Sequence, residues 1–242
     1  MRQRTDVIFV YDGTFDGFMC CVYEYYYSSF NPVDIICEED IRASLFQLVT
    51  ISTDTFKSGK VKRAIEEKIS AYSLQFLREC LLCCGKEKEM HMLWYTVKGF
   101  KKGAQVHRLA GDDDVSWLLK AHNHLKREKH LYLGLVRFYK ANDAYISVIK
   151  PKNRIVPLMV HHFTQRFANQ NFMIYDATNK EALLYYEKHT AIVKAENIEL
   201  PEADDEELIM QKLWKLFYDT IAIEERYNPR CRMNFMPKRT WD

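Results

Sequence analysis

The sequence predicts an α+β fold that is rich in helices in its N-terminal half and has a small, mainly antiparallel sheet with helices in its C-terminal half. Up to about residue 130 the apolar residues recur mainly at steps of three and four, as in amphipathic helices. Beyond that point they form short strand-like runs bounded by turn residues. A hydrophobic content of 48% is sufficient for a packed core.

The first predicted element is a short buried strand at 6–11, which is a candidate to join the C-terminal sheet as a non-local strand. A turn at Asp12-Gly13 follows it. Thr14 is suited to be the N-cap of an amphipathic helix. We expect this helix to end by Asn31-Pro32, because a proline disfavours helical backbone in the residue before it.

A strand at 47–52 and three more helices are predicted before residue 131. The longest helix spans 60–84, where apolar residues at steps of three and four make one continuous stripe, and Gly85 is suited to end it. The other two span about 87–98 and 113–130. The second begins at three aspartates, which favour the positive end of a helix dipole.

The C-terminal half contains the predicted sheet. Four strand-like runs occur there, at 133–139, 144–150, 172–175 and 183–186. Pro157 is well placed in the first turn of a helix that extends to Ala168. A further amphipathic helix at 208–223 follows an acidic stretch.

We expect one compact domain over 1–242, with a subdivision allowed between a mainly helical part, 1–130, and an α+β part, 131–225. Residues 226–242 form a basic, aromatic C-terminal tail. The sequence has no apolar run of the roughly 20 residues that cross a bilayer and no apolar stretch typical of a signal peptide. The cysteine count of seven is odd, which agrees with a reducing compartment, so we expect a cytoplasmic protein.

Two groups of residues have metal-ligand side chains at suggestive spacing, and a structural interpretation is favoured for both. Cys80, Cys83 and Cys84 resemble half of a zinc or iron–sulfur site, but there is no second pair, and they continue the apolar stripe of a helix. His124 and Glu128 share a helix face, but the further ligands that a site needs are missing, and the neighbouring Lys126, Arg127 and Lys129 favour a solvated face. We therefore expect no metal and no cofactor.

A candidate polar site combines His162, Arg166 and Asp176. His162 and Arg166 are four residues apart on a predicted helix and project from one face, and Asp176 ends the strand that follows. Together they are suited to bind a phosphate or a base. The alternative is a buried polar network that orients the helix on the sheet.

The C-terminal tail combines positive charge with aromatic rings on a chain whose net charge is only +2. Its basic residues are Arg226, Arg230, Arg232, Lys238 and Arg239, and its aromatic residues are Tyr227, Phe235 and Trp241. Basic side chains neutralise phosphates and aromatic rings stack on unpaired bases, so the tail is a candidate for nucleic-acid binding. The alternative is a tail that packs its rings on the body of the protein and leaves its basic groups in solvent.

Three segments resemble a known family. They are Tyr11-Asp12-Gly13-Thr14-Phe15-Asp16-Gly17-Phe18; Leu135-Val136-Arg137-Phe138 with His162-Phe163, Arg166-Phe167, Gln170 and Asp176; and Ile223-Glu224-Glu225-Arg226-Tyr227-Asn228-Pro229-Arg230 with Phe235-Met236-Pro237-Lys238-Arg239-Thr240-Trp241. In this order and spacing they resemble a bacterial family described as probable DNA-metabolism proteins, built on a domain of unknown function. Cys80, Cys83 and Cys84 are not part of that pattern. Nor is the run Tyr25-Tyr26-Tyr27, which we interpret as local packing.

The resemblance implies a role in DNA repair or modification. Members of the family stand beside a radical S-adenosylmethionine protein, and elsewhere the same domain is fused to a uracil-DNA-glycosylase-like domain. We therefore expect a DNA-binding accessory protein of the radical S-adenosylmethionine partner. One alternative is an enzyme that acts on DNA or a nucleotide, with His162 as acid or base, Arg166 on a phosphate and Asp176 orienting the histidine. Another is a protein–protein adaptor that does not contact DNA.

Overall fold

The computed structural model describes residues 4–141 and 143–196, together with positions 201, 208–210, 212, 213, 216, 220, 228–230, 233 and 236. The chain divides into two compact units, Met1–His124 and Leu125–Asp242. Helices and two small sheets make up the described residues, so the predicted α+β class is confirmed. Within these residues, no helix combines the length and the apolar composition needed to span a membrane.

The first unit contains a three-stranded parallel sheet. Its strands are β1 (Thr5–Tyr11), β2 (Phe30–Cys37) and β3 (Gln47–Thr50), in the order β2-β1-β3. The helix α1 (Phe15–Tyr27) forms the crossover between β1 and β2. The suggestion that the first strand joins the C-terminal sheet is therefore wrong. Phe30–Cys37 contains a strand that sequence reasoning missed, and β1 pairs with this local partner instead.

Four more helices belong wholly or partly to the first unit. They are α2 (Thr55–Lys68), α3 (Ala71–Cys80), α4 (Lys88–Lys102) and α5 (Asp113–Leu135), with short 3₁₀ turns at Glu38–Asp40 and Gly103–Arg108. The single helix predicted over 60–84 is in fact α2 and α3. Ser70 interrupts it, because its extended backbone ends one helix while its hydroxyl accepts a hydrogen bond from Ser73 N and caps the next. The apolar stripe continues across this break, so periodicity alone does not reveal it.

The core of the first unit lies between β1 and the inner faces of its helices. Fully buried side chains from the strand and four helices meet there, among them Phe9, Phe18, Ile65, Leu77 and Leu93. Burying side chains of this size stabilises a fold by about 1.5–3 kcal/mol each. This core therefore fixes α1 and α2 side by side and leaves their outer faces in solvent.

The second unit contains a five-stranded sheet in the order β4-β5-β6-β7-β8. Its strands are β4 (Tyr139–Ala141), β5 (Ala144–Ile149), β6 (Phe172–Asp176), β7 (Glu181–Tyr186) and β8 (His189–Lys194). All neighbouring pairs are antiparallel except β5 and β6, which the crossover helix α6 (Val156–Arg166) joins in parallel. The sheet is thus mainly antiparallel, as predicted.

Three predicted elements of the C-terminal half need comment. The run at 133–139 is helical as far as Leu135, and β4 begins later, at Tyr139. The edge strand β8 was not predicted, and all six of its residues are exposed. The helix predicted at 208–223 and the tail at 226–242 lie outside the described residues, apart from scattered positions.

Candidate functional site

The helices α1 and α2 pack side by side and are joined by ion pairs. Lys57 Nζ lies 2.7 Å from Glu24 Oε1, and Lys62 pairs with Asp16. Asp54 caps α2, since its carboxylate accepts hydrogen bonds from the backbone N–H groups at the start of the helix. These contacts fix the relative positions of the side chains on the outer surfaces of both helices.

Aromatic rings and a lysine meet on this outer surface. Tyr23 and Tyr27 stack with ring centroids 4.3 Å apart. Lys60 Nζ lies 4.6 Å from the centroid of Tyr27 and 5.6 Å from that of Tyr23. A hydrogen bond to the Tyr27 hydroxyl raises the pKa of Lys60. Tyr27 is 63% exposed and Phe56, at the start of α2, is 74% exposed.

The positive charge of this surface is concentrated on one side of α2. Phe56, Lys60 and Arg63 follow one another at steps of four and three, so they share a helix face. Lys60 and Arg63 pair with no carboxylate in the part of the chain that the structure describes, whereas Lys57 and Lys62 are neutralised. We name this surface the α1–α2 face. It consists of Tyr23, Tyr27, Phe56, Lys60 and Arg63.

The carboxyl ends of the three parallel strands meet at the edge from which α1 and α2 begin. Asp12, directly after β1, accepts hydrogen bonds from Thr14 N at 2.9 Å, from Thr14 Oγ1 at 2.7 Å and from Thr53 Oγ1 at 2.7 Å. Partial burial opposes ionisation of Asp12, but these hydrogen bonds outweigh it and lower its pKa. Thr14 in turn caps α1 by accepting from Gly17 N.

A glycine is required at position 17 by this arrangement. A Cβ on Gly17 would lie 2.2 Å from Asp12 Oδ1 and 3.0 Å from Thr53 Oγ1. The polar groups of this edge are thus satisfied by one another. The segment 11–18, which carries the sequence resemblance, therefore positions both helices of the α1–α2 face.

The three residues of the predicted polar site have separate surroundings. The exposed Arg166 is the last residue of α6, next to the amino end of β6, whereas Asp176 is the last residue of β6. Four residue steps separate the ends of this strand, or about 13 Å at 3.3 Å per residue. His162 is half-buried, and its Nε2 atom is buried without a partner in the described structure. No hydrogen bond or ion pair among the described residues joins any two of the three, so the structure does not bring them together.

Asp176 instead organises the turn after β6. Its fully buried carboxylate accepts hydrogen bonds from Thr178 N, Asn179 N and Asn179 Nδ2 at 2.7–3.0 Å. Burial raises its pKa to about 6 against these hydrogen bonds, and the charge of Glu181 on β7 adds to the increase. These hydrogen bonds lie within the turn itself, and none of them joins Asp176 to α6.

The residues with metal-like spacing have structural surroundings. Cys80, the last residue of α3, and Cys83 are buried, and Cys80 belongs to the core of the first unit. Cys84 is exposed, so the buried stripe predicted for the three cysteines does not include it. The solvated face expected for Glu128 is wrong, because Glu128 is buried and its carboxylate accepts hydrogen bonds from Lys152 N, Asn153 N and Asn153 Nδ2 at 2.6–2.9 Å. No group of three or more metal-ligand side chains with suitable geometry occurs among the described residues.

Of the tail residues predicted to bind nucleic acid, the structure describes one, Arg230, which is exposed. The other residues predicted to bind there lie outside the described residues: Arg226, Tyr227, Arg232, Phe235, Lys238, Arg239 and Trp241. The DNA-binding role of the tail therefore stays a prediction.

Comparison with known proteins identifies the family. A family model described as a domain of unknown function, DUF4130, matches residues 86–242, which is more than half of the chain. The chain belongs to the DUF4130 family. No curated protein and no solved structure matches it.

The DUF4130 match begins just before α4 and includes the whole second unit. His162, Arg166 and Asp176 are therefore DUF4130 residues, and so is the predicted tail. The α1–α2 face lies before the matched region, in the part of the chain where the structure has the parallel sheet.

Sequence reasoning missed the α1–α2 face. The helix of 60–84 was predicted to begin after Phe56, so Phe56 was not placed on the same face as Lys60 and Arg63. The tyrosine run was interpreted as packing, which holds for Tyr25, whose ring contacts Trp94, but not for the exposed Tyr27. The sequence did contain one signal for this face, namely the steps of four and three residues between Phe56, Lys60 and Arg63.

Proposed function

We propose that this DUF4130 protein is a DNA-binding accessory protein in DNA metabolism, and that it contacts single-stranded DNA through the α1–α2 face. The observation that supports this is the position of the unpaired cations Lys60 and Arg63 beside the exposed rings of Tyr27 and Phe56. Proteins that bind single strands combine cations for the backbone with aromatic rings for the bases.

Single strands fit this face better than duplex DNA does. Exposed rings can stack on a base only when the base is free of its partner strand, and stacking contributes about 1–3 kcal/mol per base. Two unpaired cations correspond to two phosphate contacts, which is a small footprint. We therefore expect weak binding by this face, to which the basic tail would add further contacts.

The cellular role rests on the resemblance of the sequence. It implies a protein that acts beside a radical S-adenosylmethionine partner in repair or modification of DNA, and the odd cysteine count agrees with a cytoplasmic location. An accessory role is favoured over catalysis because His162, Arg166 and Asp176 occupy separate surroundings. An adaptor that does not contact DNA remains the competing function, and affinity for DNA separates the two.

The test compares one oligonucleotide as a single strand and as a duplex, by fluorescence anisotropy at low salt. We expect measurable binding with preference for the single strand. The double variant Lys60→Gln, Arg63→Gln should weaken binding, whereas Lys68→Gln, which removes an exposed lysine from the last turn of the same helix, should not. The adaptor function predicts no affinity for either form. A loss in Lys68→Gln about half as large, in the logarithm of affinity, as the loss in the double variant would show that the effect depends on net charge alone, because the control removes one charge and the double variant removes two.

A further inference from the structure

A concave site lies where α6 ends in the second unit. It has a volume of about 360 Å³ and is lined by a single stretch of chain, residues 165–170. Small-molecule sites typically measure about 300–1,000 Å³, so its size suits a compact ligand. The site lies in a different unit from the α1–α2 face and shares no residue with it.

The polar side chains around this site are free to bind a ligand. Three are amides and one is a guanidinium: Gln165, Asn169, Gln170 and Arg166. All four residues are exposed, and their side chains make no hydrogen bond or ion pair within the part of the chain that the structure describes. One turn earlier on α6, His162 Nε2 is buried and also has no partner among these residues.

An aromatic ring held in place by its neighbours also lines the site. Phe167 packs against Phe138 at 4.9 Å between ring centroids, against Phe172 at 6.0 Å and against Phe163 at 6.3 Å. The loop after it is tied to the sheet, because Tyr185 on β7 donates a hydrogen bond to Ala168 O at 3.1 Å. The ring is therefore fixed before any ligand arrives, which reduces the entropy lost on binding.

The types of these residues indicate the chemistry of the ligand. Each amide has both a donor and an acceptor, so several amides match a ligand edge on which donors and acceptors alternate. Such edges are typical of nucleobases, which amide side chains read through paired hydrogen bonds and aromatic rings hold by stacking. A guanidinium beside them matches a phosphate through two parallel hydrogen bonds.

We infer that the site at the end of α6 binds an unpaired nucleobase with its phosphate, as in a nucleoside monophosphate. Asn169 and Gln170 read the edge of the base, Phe167 contacts its face and Arg166 binds the phosphate. This inference does not rest on the proposed function, because the ligand is a free mononucleotide and the residues belong to the other unit.

The test uses isothermal titration calorimetry of the full chain with the four deoxynucleoside 5′-monophosphates and with deoxyribose 5-phosphate, which lacks a base. We expect at least one nucleotide to bind saturably and roughly tenfold or more tighter than the sugar phosphate. Asn169→Ala and Gln170→Ala should each weaken nucleotide binding by about tenfold, the effect of losing one hydrogen bond to the base. Arg166→Ala should weaken the nucleotide and the sugar phosphate alike.

Gln105→Ala is the matched control, because it removes an exposed glutamine from the other unit and should leave nucleotide binding unchanged. The site variants should melt at the wild-type temperature, since the side chains that they remove make no internal hydrogen bond. Three results would overturn the inference: no nucleotide binds, the sugar phosphate binds as tightly as the nucleotides, or Asn169→Ala and Gln170→Ala both bind like the wild type.

Discussion

Thr53 Oγ1 donates a hydrogen bond of 2.7 Å to Asp12 Oδ2 and so joins the loop after β3 to the loop after β1. Each of these loops leads into one helix of the α1–α2 face, and each helix is capped by a side chain of its own loop, Thr14 or Asp54. The geometry of the face is thus set at the carboxyl edge of the parallel sheet, below the surface that we propose to contact DNA.

We predict that Gly17→Ala destabilises the protein, because its new Cβ would push into Asp12 and Thr53. Restoring ordinary contact requires a shift of the Asp12 carboxylate, which Thr14 and Thr53 hold by hydrogen bonds, and overpacking of this kind costs about 1–3 kcal/mol. Gly59→Ala is the matched control on α2, where a Cβ meets nothing within 4 Å. It should stabilise the protein by about 0.5–1 kcal/mol, since alanine favours the helix interior. Urea unfolding measures both changes, and two variants that shift the same way would contradict this account of the edge.

We predict that Asp176 makes stability depend on pH. Its pKa in the folded protein is raised from 3.8 to about 6, so the folded state holds the proton more tightly than the unfolded state does. Protonation of Asp176 adds on the order of 3 kcal/mol to the free energy of unfolding. This contribution is complete below about pH 4 and is lost as the pH rises through about 6. Asp176→Asn should remove this component, and urea unfolding at about pH 4 and about pH 7 measures it.

The control for this prediction is Asp143→Asn, which changes an exposed carboxylate in the same unit. It should keep the pH dependence of the wild type. If Asp176→Asn kept the same dependence, burial of the Asp176 carboxylate would not be its source.

We predict that Glu128 stabilises the second unit and does not serve as a metal ligand. Glu128→Ala leaves the N–H groups of Lys152 and Asn153 without their acceptor, which should cost about 2–4 kcal/mol. Lys126→Ala, an exposed change on the same helix, should cost less than about 0.5 kcal/mol. Chemical denaturation gives both values. A Glu128→Ala variant of normal stability that loses bound zinc would support the metal site instead.

The sequence predicted the fold class and most of the elements whose hydrophobic period was clear. The helices α4, α5 and α6 and the strands β5, β6 and β7 lie close to their predicted positions. The prediction failed where a polar residue changed the path of the chain without changing the apolar period, as at Ser70. It also failed for β2, because the internal proline at position 32 disfavours a strand. It failed for β8 because all six residues of that strand are exposed, so the strand has no apolar alternation.

The candidate sites were harder to predict because they depend on contacts between distant segments. Spacing placed His162 and Arg166 on one helix correctly, but only the parallel β5–α6–β6 crossover shows that Asp176 lies at the far end of its strand. The α1–α2 face requires Lys60 to meet Tyr23 and Tyr27 across two helices. No local pattern contains that information.

We predict that Phe56→Ala weakens binding to single-stranded DNA without loss of stability, because the ring is 74% exposed. If the ring stacks on a base, the loss should be about 1–3 kcal/mol, or roughly 5- to 150-fold in affinity. Tyr186→Ala removes a ring that is 62% exposed in the second unit and should have no effect. Anisotropy titrations with one labelled oligonucleotide measure both, and equal effects of the two variants would argue against stacking at Phe56.

The salt dependence of single-strand binding tests the central claim most directly, namely that Lys60 and Arg63 contact DNA phosphates. The logarithm of the association constant should fall linearly with the logarithm of the salt concentration, by about 0.7 per phosphate contact. The variant Lys60→Gln, Arg63→Gln should therefore reduce this slope by about 1.4, and Lys68→Gln should leave it unchanged. A double variant with the wild-type slope, or a wild type that does not bind single-stranded DNA at low salt, would contradict the account.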